Sequence, residues 1–460
     1  MARLSVGEAA QAVSGRVTAG DPGATIEGAS IDSRAVRGGE LFFAFRGEHT
    51  DGHRFVADAL ARGAAAAMIQ EDLPTPPAGA LIRVDDTFAA LHALTRHVRA
   101  RNPKKLVGIT GSAGKTTTKE ILAALLGNRF KTAATKGNLN NLYGFPLSLL
   151  NVPDGTEWMV AEMGMSTPGE LRQLSLLGKP DVAVFTVVRP VHLEFFGTVQ
   201  AIAEAKSEIL AGLAPGGFIV ANADDPEVTR ISRRHGARVV WYGIHSTEVD
   251  VRAVDLAPEP EGIGSRFQLQ AGGASQEVHL PLHGLYNVEN CLAAAAASWA
   301  LGMSLAEIAE AVREVKPAYM RGVVHRAPAG FTLIDDSYNS NPDALGKALE
   351  SAAHLPGERY VAVLGDMREL GPEGPRFHRE CGERAARLGF APIAGVGELS
   401  RHLVEGAASA GAAAVWLPDA AAAAEWAAHE VAARDVVLVK ASRGVGLEKV
   451  VRRLLPEEGA

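Results

Sequence analysis

A loop of small residues followed by a lysine is the feature of this sequence with the clearest chemistry. An apolar stretch ends at Thr110, and the polar segment that follows consists of Gly111, Ser112, Ala113, Gly114, Lys115, Thr116 and Thr117. Apolar residues then recur at helical spacing, at Ile121, Leu122, Leu125 and Leu126. Loop amides and the positive end of a helix attract phosphate, and small residues let the backbone approach it closely. We therefore predict an ATP site, with Lys115 on the outer phosphates and the Thr116 hydroxyl on a magnesium ion.

The loop is a shortened variant of the Walker pattern. The strict pattern has a glycine five residues before Gly114, where this chain has Ile109. The remaining G-x-x-G-K-T sequence keeps the order strand, loop and helix, which favours phosphate binding. The alternative is a glycine-rich turn that only connects a strand to a helix.

Polar residues follow the ends of further apolar stretches. Trp158–Glu162, Val182–Val188 and Phe218–Asn222 have the composition of buried parallel strands, and ligands of open parallel sheets gather at the carboxyl ends of strands. Glu162 can there hold the magnesium ion of a nucleotide. His192 lies just beyond the second strand, and a surface or capping role is the alternative for both residues. For Asn222, at the end of the third strand, capping of a turn has at least equal weight.

Lys206 occupies an unusual position in a predicted helix. It falls in the middle of the apolar stripe formed by Ile202, Ile209 and Leu213, whereas Glu204 points away from it. Lysine is rarely buried without a partner, so one interpretation is that the side chain extends along the helix edge into water. The other is that burial lowers its pKa, and that the neutral amine reacts with carbon dioxide to form a carbamate that could bind a metal.

Two segments near the C-terminus could bind charged groups. Asp335 and Asp336 follow an apolar strand and precede a helix, so they could hold a ribose or a substrate amine. Capping of that helix is the alternative. Lys440 and Arg443 lie beyond the final predicted strand and are candidates for binding a carboxylate or a phosphate.

Composition excludes several classes of function. A net charge of −7 over 460 residues argues against wholesale nucleic-acid binding and against a polybasic membrane anchor. Cys291 and Cys381 lack ligand-like spacing, so neither a zinc site nor a disulfide scaffold is indicated. The N-terminus lacks the apolar core of a secretory signal, and no stretch is long and apolar enough to span a bilayer. We expect a cytoplasmic protein that neither binds nucleic acid nor inserts into a membrane.

The chain is too long for one hydrophobic core, and two X-Pro pairs, Asn102-Pro103 and Lys316-Pro317, read as linkers. The alternation of strands and helices predicts an α/β fold with three domains. Residues 1–102 form a small α/β N-terminal domain, and residues 103–316 form a central P-loop ATPase-like parallel sheet with an antiparallel extension at 251–282. Residues 317–460 form a smaller, doubly wound, Rossmann-like C-terminal domain.

With these pieces in order, nearly the whole chain resembles the Mur ligases of peptidoglycan synthesis. The resemblance rests on the segments 32–34 (DSR), 45–47 (FRG), 110–117 (TGSAGKTT), 137–141 (GNLNN), 161–164 (AEMG), 192–194 (HLE), 206–209 (KSEI), 287–290 (NVEN), 335–339 (DDSYN), 365–371 (GDMRELG) and 440–443 (KASR). The last three point to the family member that adds D-alanyl-D-alanine.

The resemblance implies an ATP-dependent ligase that joins D-alanyl-D-alanine to UDP-N-acetylmuramoyl-tripeptide through an acyl phosphate, and a monomer is expected. It implies that the UDP-sugar contacts Ser33, Arg34, Phe45, Arg46, Asn138, Asn140 and Asn141. It implies magnesium ligands at Thr116, Glu162, His192 and Lys206 as its carbamate. It implies contacts of ATP with Asn287 and Asn290 (adenine), Arg321 (phosphates) and Asp336 (ribose). It implies contacts of the dipeptide with Asn339, Lys440, Ser442 and Arg443. Lys115, Glu162, His192 and Lys206 are the expected catalytic residues.

Several positions depart from the family's usual pattern. Tyr286 stands where a histidine commonly precedes the first asparagine, and Val187 replaces a frequent asparagine. Ala441 replaces the glycine of a Lys-Gly-Ser-Arg pattern, and Leu142-Tyr143 replaces a more usual polar pair. None of these changes removes a group that the chemistry needs.

Three other functions share parts of these signals. A sister ligase that adds the third amino acid, or a folylpolyglutamate-type ligase, would have a similar central domain. The segment 32–47 disfavours the folate type, and the segments 365–371 and 440–443 disfavour the sister ligase. A P-loop switch protein that hydrolyses ATP slowly would need no second substrate.

Overall fold

The computed structural model describes residues 3–47, 50–73, 75, 78–191, 193–259 and 263–455. Its α/β architecture confirms the predicted fold class, with one mixed or parallel-dominated sheet in each third of the chain. No helix within the described ranges is long and apolar enough to cross a membrane.

The N-terminal part is a five-stranded sheet with helices packed on it. The order of its strands is β2-β7-β6-β5-β4, parallel except for the β2–β7 pair, and a small β1–β3 ladder lies beside it. The strands are β1 (Leu4–Ser5), β2 (Arg16–Ala19), β3 (Thr25–Ile26), β4 (Gly28–Ser30), β5 (Glu40–Phe43), β6 (Ala66–Ile69) and β7 (Ala80–Arg83). The helices are α1 (Val6–Ala12), α2 (Val56–Ala61) and α3 (Thr87–Arg101).

The central part contains a nine-stranded sheet. The strands are β8 (Lys105–Thr110), β9 (Thr132–Ala134), β10 (Trp158–Glu162), β11 (Val182–Phe185), β12 (Phe218–Asn222), β13 (Arg238–Gly243), β14 (Val251–Pro258), β15 (Ser265–Ala271) and β16 (Ala274–Leu280). The helices are α4 (Lys115–Gly127), α5 (Gly144–Leu150), α6 (Glu170–Gly178), α7 (Leu193–Phe196), α8 (Val199–Ser207), α9 (Pro226–Arg233), α10 (Leu285–Ala300) and α11 (Leu305–Arg313).

The strand order β16-β15-β14-β13-β12-β11-β8-β10-β9 brings β8 between β10 and β11. The strands from β9 to β14 run parallel, and β14, β15 and β16 are antiparallel, so the predicted extension is confirmed and continues the same sheet. Successive residues of β8 face opposite sides, because Leu106 packs in one apolar cluster and Val107 in the other. Helix α4 buries Ile121, Leu122, Leu125 and Leu126 in the second of these clusters, as their spacing predicts.

The predicted strand Val182–Val188 is too long, since β11 ends at Phe185. Beyond it the amide of Thr186 still donates to the carbonyl of Thr110 in β8 (3.0 Å), but further bonds of this segment go to the phosphate-binding loop. The Thr186 hydroxyl donates to the carbonyl of Ala113 (2.6 Å), and the amide of Ser112 donates to the carbonyl of Val187 (2.7 Å). These bonds to a loop end the regular ladder.

The C-terminal part is a six-stranded sheet with the order β17-β18-β22-β19-β20-β21, parallel except for β17. Its strands are β17 (Val323–Arg326), β18 (Thr332–Asp336), β19 (Arg359–Gly365), β20 (Phe390–Val396), β21 (Ala414–Leu417) and β22 (Asp435–Lys440). Its helices are α12 (Pro342–Ala352), α13 (Gly374–Arg387), α14 (Ser400–Ser409), α15 (Ala420–Glu430) and α16 (Glu448–Leu454). Apolar runs at 331–334, 360–364, 393–396, 415–417 and 436–439 predict five of these strands to within three residues at each end, whereas the sequence pattern misses β17.

Helix α12 connects the C-terminal sheet to the central part through polar contacts. Lys347 forms an ion pair with Glu289 of α10 (2.9 Å), and both side chains are about one quarter exposed. Arg189 contacts Asp343 (3.4 Å) in addition to Asp225 (2.6 Å). A ring nitrogen of His283 lies 2.9 Å from the carbonyl oxygen of Ser351. These polar contacts hold the two parts together.

Helix α5 connects the central part to the N-terminal sheet. Leu147 and Leu150 are buried in the same apolar cluster as Leu91 and Leu94 of α3. At the end of α5, the side chain of Asn151 accepts a hydrogen bond from the amide of Ala29 and donates one to its carbonyl, both at 2.8 Å. This pair occupies the free edge of β4.

We predict that Asn151→Ala loosens the edge strand β4. Each lost hydrogen bond contributes about 1 kcal/mol, so the amide of Ala29 should exchange with solvent about tenfold faster, measured by hydrogen–deuterium exchange. Asn128→Ala is the matched control, because its exposed side chain only donates to Ala124 in its own helix. Equal exchange at Ala29 in both variants would contradict the prediction.

Candidate functional site

The carboxyl ends of the central and C-terminal strands face a shared cavity of about 470 Å³. The end of β8 supplies the phosphate-binding loop, and β10 supplies Glu162. The end of β18 supplies Asp336, and the end of β22 supplies Lys440. The predicted residues that line this cavity are Ser112, Ala113, Gly114, Lys115, Thr116, Thr117, Asn138, Asn140, Asn141, Glu162, Lys206, Asn222, Asn290, Arg321, Asp336, Asn339, Lys440 and Arg443.

The phosphate-binding loop requires glycine at two positions. Gly111 and Gly114 both have positive φ, 155° and 82°. A Cβ at Gly111 would lie 1.8 Å from Oγ1 of Thr186, and one at Gly114 would lie 2.1 Å from Oδ1 of Asn290. Helix α4 begins directly after Gly114, so its first amides face the cavity end where an anion is expected.

Lys115 is held against the loop that precedes it. Its Nζ donates a hydrogen bond to the carbonyl of Gly111 (2.7 Å). Burial lowers the pKa of Lys115, Glu162 acts in the opposite direction, and the positive charge of Arg321 lowers it further. Lys115 and Arg321 therefore face the same space, and an anion bound between them would offset their mutual repulsion.

Glu162 is almost fully buried and is bound by neutral donors. The Thr116 hydroxyl donates to Oε2, and the Asn140 side-chain amide donates to Oε1, both at 2.7 Å. A carboxylate and a hydroxyl are the hard oxygen ligands that Mg²⁺ prefers, so these two residues fit that ion. Among the described residues, no group of three or more His, Cys, Asp or Glu side chains is arranged to hold a metal ion, so phosphate oxygens and water would have to complete the coordination.

Lys206 lies near the end of α8 and is 2% exposed, so its side chain is buried and does not extend along the helix edge into water. Burial, and then the positive charge of Lys115, hold the pKa of Lys206 well below its ordinary value. Glu204 faces the surface as predicted, where it accepts hydrogen bonds from Arg230 and Arg234 (2.6 Å each). The predicted site residue His192 lies outside the described residues.

The asparagines expected at adenine are engaged within the protein. Asn287 donates to the carbonyl of His283 (2.8 Å) and accepts a bond from Asn290 (3.2 Å), and Asn287 does not line the cavity. Asn290 lies against Gly114, and its Oδ1 accepts a hydrogen bond from Thr118 (3.4 Å). In this structure the two side chains hold α10 against the phosphate-binding loop, and a role at adenine stays a prediction.

The residues expected at the dipeptide surround a second cavity of about 350 Å³ next to the first. Asn339, Ser442 and Arg443 line it together with Lys115. Lys440 is buried, and its Nζ donates to Asp336 (2.6 Å) and to the carbonyl of Asn339 (2.9 Å). The ion pair fixes the turn after β18.

The UDP-sugar candidates of the N-terminal part do not line either cavity. Ser33 is buried, Arg34 forms an ion pair with Asp32 (2.8 Å), and Arg46 forms one with Glu71 (2.5 Å). Phe45 meets Tyr143 edge-on, with ring centroids 5.0 Å apart. Tyr143 closely follows the segment that contains Asn138, Asn140 and Asn141, which line the first cavity. The ring contact therefore joins the N-terminal part to a segment next to that cavity.

Sequence reasoning missed Lys119. The residue is fully buried in α4, where its Nζ donates to the carbonyl of Thr135 (2.7 Å) and pairs with Glu120 (2.8 Å). The Thr135 hydroxyl accepts the amide of Glu162 (3.1 Å), so this lysine supports the strand end that carries the carboxylate. Lys119 lies one turn after Lys115, and that spacing could have indicated a second lysine on the same face.

Comparisons with known proteins give Mur ligases along nearly the whole chain. The family profiles described as Mur ligase family catalytic domain, Mur ligase middle domain, and Mur ligase glutamate ligase domain match residues 25–108, 109–298 and 320–443. A UDP-N-acetylmuramoyl-tripeptide–D-alanyl-D-alanine ligase of Bacillus subtilis is 34% identical over 439 residues, 94% of this chain and 93% of the relative.

Solved structures show the same likeness. A crystal structure of MurF from Acinetobacter baumannii has a TM-score of 0.88 at 30% identity and covers 98% of each chain. The crystal structure of MurF ligase from Thermotoga maritima in complex with ADP has a TM-score of 0.81 at 30% identity, covering 93% of this chain and 97% of the other.

We predict that Lys206→Met is more stable than the parent in carbon-dioxide-free buffer, by a margin that shrinks as the pH rises. The folded pKa of Lys206 is lowered, so between it and the ordinary value of 10.5 the unfolded chain binds a proton that the folded protein does not. The parent therefore gains stability with pH, by up to about 1.4 kcal/mol per unit, and the variant does not.

Urea unfolding at several pH values between about 7 and about 10 measures this margin. Lys449→Met, at an exposed lysine, is the control and should show no such trend. A margin for Lys206→Met that is constant over the range would contradict the prediction.

Proposed function

The chain belongs to the Mur ligase family, and we propose that it joins D-alanyl-D-alanine to UDP-N-acetylmuramoyl-tripeptide at the expense of ATP. The chain is an ATP-dependent ligase of peptidoglycan precursor synthesis. The observation that carries the proposal is the shared cavity, in which the phosphate-binding loop, the carboxylate of Glu162 and cations from the C-terminal part face one space. A cavity lined by groups from both parts of the chain can bring a nucleotide together with two further substrates.

In the first step, the terminal carboxylate of the tripeptide attacks the γ-phosphate of ATP, so that an acyl phosphate forms and ADP leaves. Two anions must approach each other for this bond to form. Lys115 and Arg321 offset their repulsion, since both are cations that face the cavity. A carboxylate is a poor electrophile, and phosphorylation supplies its leaving group.

Magnesium would be held by Thr116 and Glu162, and a second ion by His192 and the carbamate of Lys206. When bound, magnesium would neutralise negative charge on the phosphate oxygens. The low pKa of Lys206 supports the carbamate, because only a neutral amine reacts with carbon dioxide.

In the second step, the amine of D-alanyl-D-alanine attacks the acyl carbonyl, phosphate leaves, and the nitrogen loses a proton. Asn339, Lys440, Ser442 and Arg443 are the proposed dipeptide contacts, since Lys440 lines the first cavity and the other three line the second. The C-terminal part must close over the cavity during the reaction to exclude water from the acyl phosphate.

The remaining assignments extend the proposal to binding. The UDP-sugar would contact Ser33, Arg34, Phe45 and Arg46, with Asn138, Asn140 and Asn141 near its diphosphate or sugar. Adenine would contact Asn287 and Asn290, which requires Asn290 to exchange its present partners, and the ribose would contact Asp336. We propose residues 1–102, 103–316 and 317–460 as the domains of a cytoplasmic monomer.

We predict that phosphate release by the parent enzyme requires both the muramoyl tripeptide and the dipeptide. A phosphate assay with each substrate omitted in turn measures this, and D-alanine is a matched control for the dipeptide. Release that ignores both substrates would support the P-loop switch instead. Release with a muramoyl dipeptide and a free amino acid, in place of the muramoyl tripeptide and D-alanyl-D-alanine, would support the sister ligase.

We predict that Lys115→Ala and Glu162→Gln each lower kcat/KM by about 10²–10³, because each removes charge aimed at the reacting phosphate or its cation. Glu157→Gln is the control for Glu162→Gln, because Glu157 is exposed at the opposite end of the same strand. Ligation by folded Lys115→Ala at the parental rate would refute the mechanism.

A further inference from the structure

Tyr338 contacts two arginines at the boundary between the cavities. The guanidinium carbon of Arg321 lies 4.3 Å from the centroid of its ring, and that of Arg443 lies 5.6 Å from it. Both distances are in the range of a cation–π interaction. Arg321 lines the first cavity, whereas Arg443 lines both, so one aromatic ring orients cations for two neighbouring sites.

The backbone around Met320 supports the same arrangement. Met320 is buried and has φ of 58°, a left-handed conformation that is uncommon for a residue other than glycine. Its carbonyl accepts the amide of Tyr338 (3.2 Å), and its sulfur lies 3.5 Å from Nη1 of Arg443. Such strain persists only where surrounding contacts fix it, and here it directs Arg321, the next residue, towards the ring.

The two arginines differ in their other partners. Arg321 has no carboxylate partner among the residues that the structure describes. The ring of Tyr338 is therefore the main contact of its guanidinium group apart from the cavity. Arg443 also contacts Glu448 (3.6 Å), and its side chain is about half exposed. The guanidinium groups therefore depend on Tyr338 for their orientation, Arg321 more than Arg443.

We propose that Tyr338 is a positioning residue that holds Arg321 towards the nucleotide phosphates and Arg443 towards the carboxylate of the acceptor dipeptide. The proposal rests on the function proposed above. The aromatic ring carries the role, and the hydroxyl does not. Loss of the ring leaves both cations free to adopt other rotamers, which weakens the binding of two substrates at once.

The test compares Tyr338→Leu with Tyr338→Phe. In Tyr338→Leu, the KM values for ATP and for D-alanyl-D-alanine should rise about three- to tenfold, as expected for the loss of one cation–π contact at each site. The KM for the muramoyl tripeptide should stay within about twofold of the parental value, because Tyr338 contacts none of its proposed binding residues. Tyr338→Phe keeps the ring and should match the parent.

Phe377→Leu is the matched control. Arg376 lies 4.3 Å from the ring of Phe377 in the same domain, and neither residue lines the two cavities. Its KM values should be parental. Calorimetric titration with ADP adds a reading that needs no turnover, and Tyr338→Leu should bind ADP more weakly by the same factor as its KM for ATP.

The outcomes separate the two proposals. A parent enzyme that does not ligate the dipeptide refutes the proposed function. If the parent ligates, unchanged KM values in Tyr338→Leu refute the positioning role, as does a fall in kcat alone, which would indicate a general structural defect. Equal defects in Tyr338→Phe and Tyr338→Leu would assign the role to the hydroxyl and overturn the proposal.

Discussion

Repulsion between like charges is the constraint around which this structure is built. A triphosphate and a carboxylate must meet in one space, and the protein prepares that space with positive groups that repel each other while it is empty. The pKa values of Lys115 and Lys206 are lowered as a result of this arrangement, because burial and neighbouring cations both disfavour their charged forms. Glu162 is the opposing charge, and its neutral partners leave it free to take a cation.

Local sequence determined the part of the site that depends on local geometry. The phosphate-binding loop follows from small residues between a strand and a helix, and the carboxyl end of β10 follows from an apolar run ending in Glu162. Helical periodicity placed Lys206 within the apolar stripe of its helix, and the structure then shows that its side chain is buried. In each case the pattern lies within one helix, strand or loop, so the sequence of that element was sufficient to predict where the residue lies. The three-part α/β fold followed in the same way from alternating strand and helix patterns.

Contacts between distant segments could not be predicted in this way. The end of β11 at Phe185 depends on bonds to a loop more than 70 residues earlier, and the support of Glu162 by Lys119 passes through Thr135. Asn290 illustrates the same limit, since its side chain is held by the loop and by Thr118 rather than directed into open space. The distance of Ser33 and Arg46 from the cavities depends on how whole sheets are arranged, which no local pattern records.

Helix α12 links the wall of the two cavities to the central part of the chain. The helix follows directly on the turn of Asn339 and Asn341, and the Lys347–Glu289 pair lies at its middle. Asn339 and Asn341 line both cavities, so any displacement of α12 that separated this pair would also move their common wall. Because the pair is only partly shielded from solvent, dissolved salt weakens it. We therefore expect ionic strength to affect how firmly α12 is held at the wall that the two cavities share.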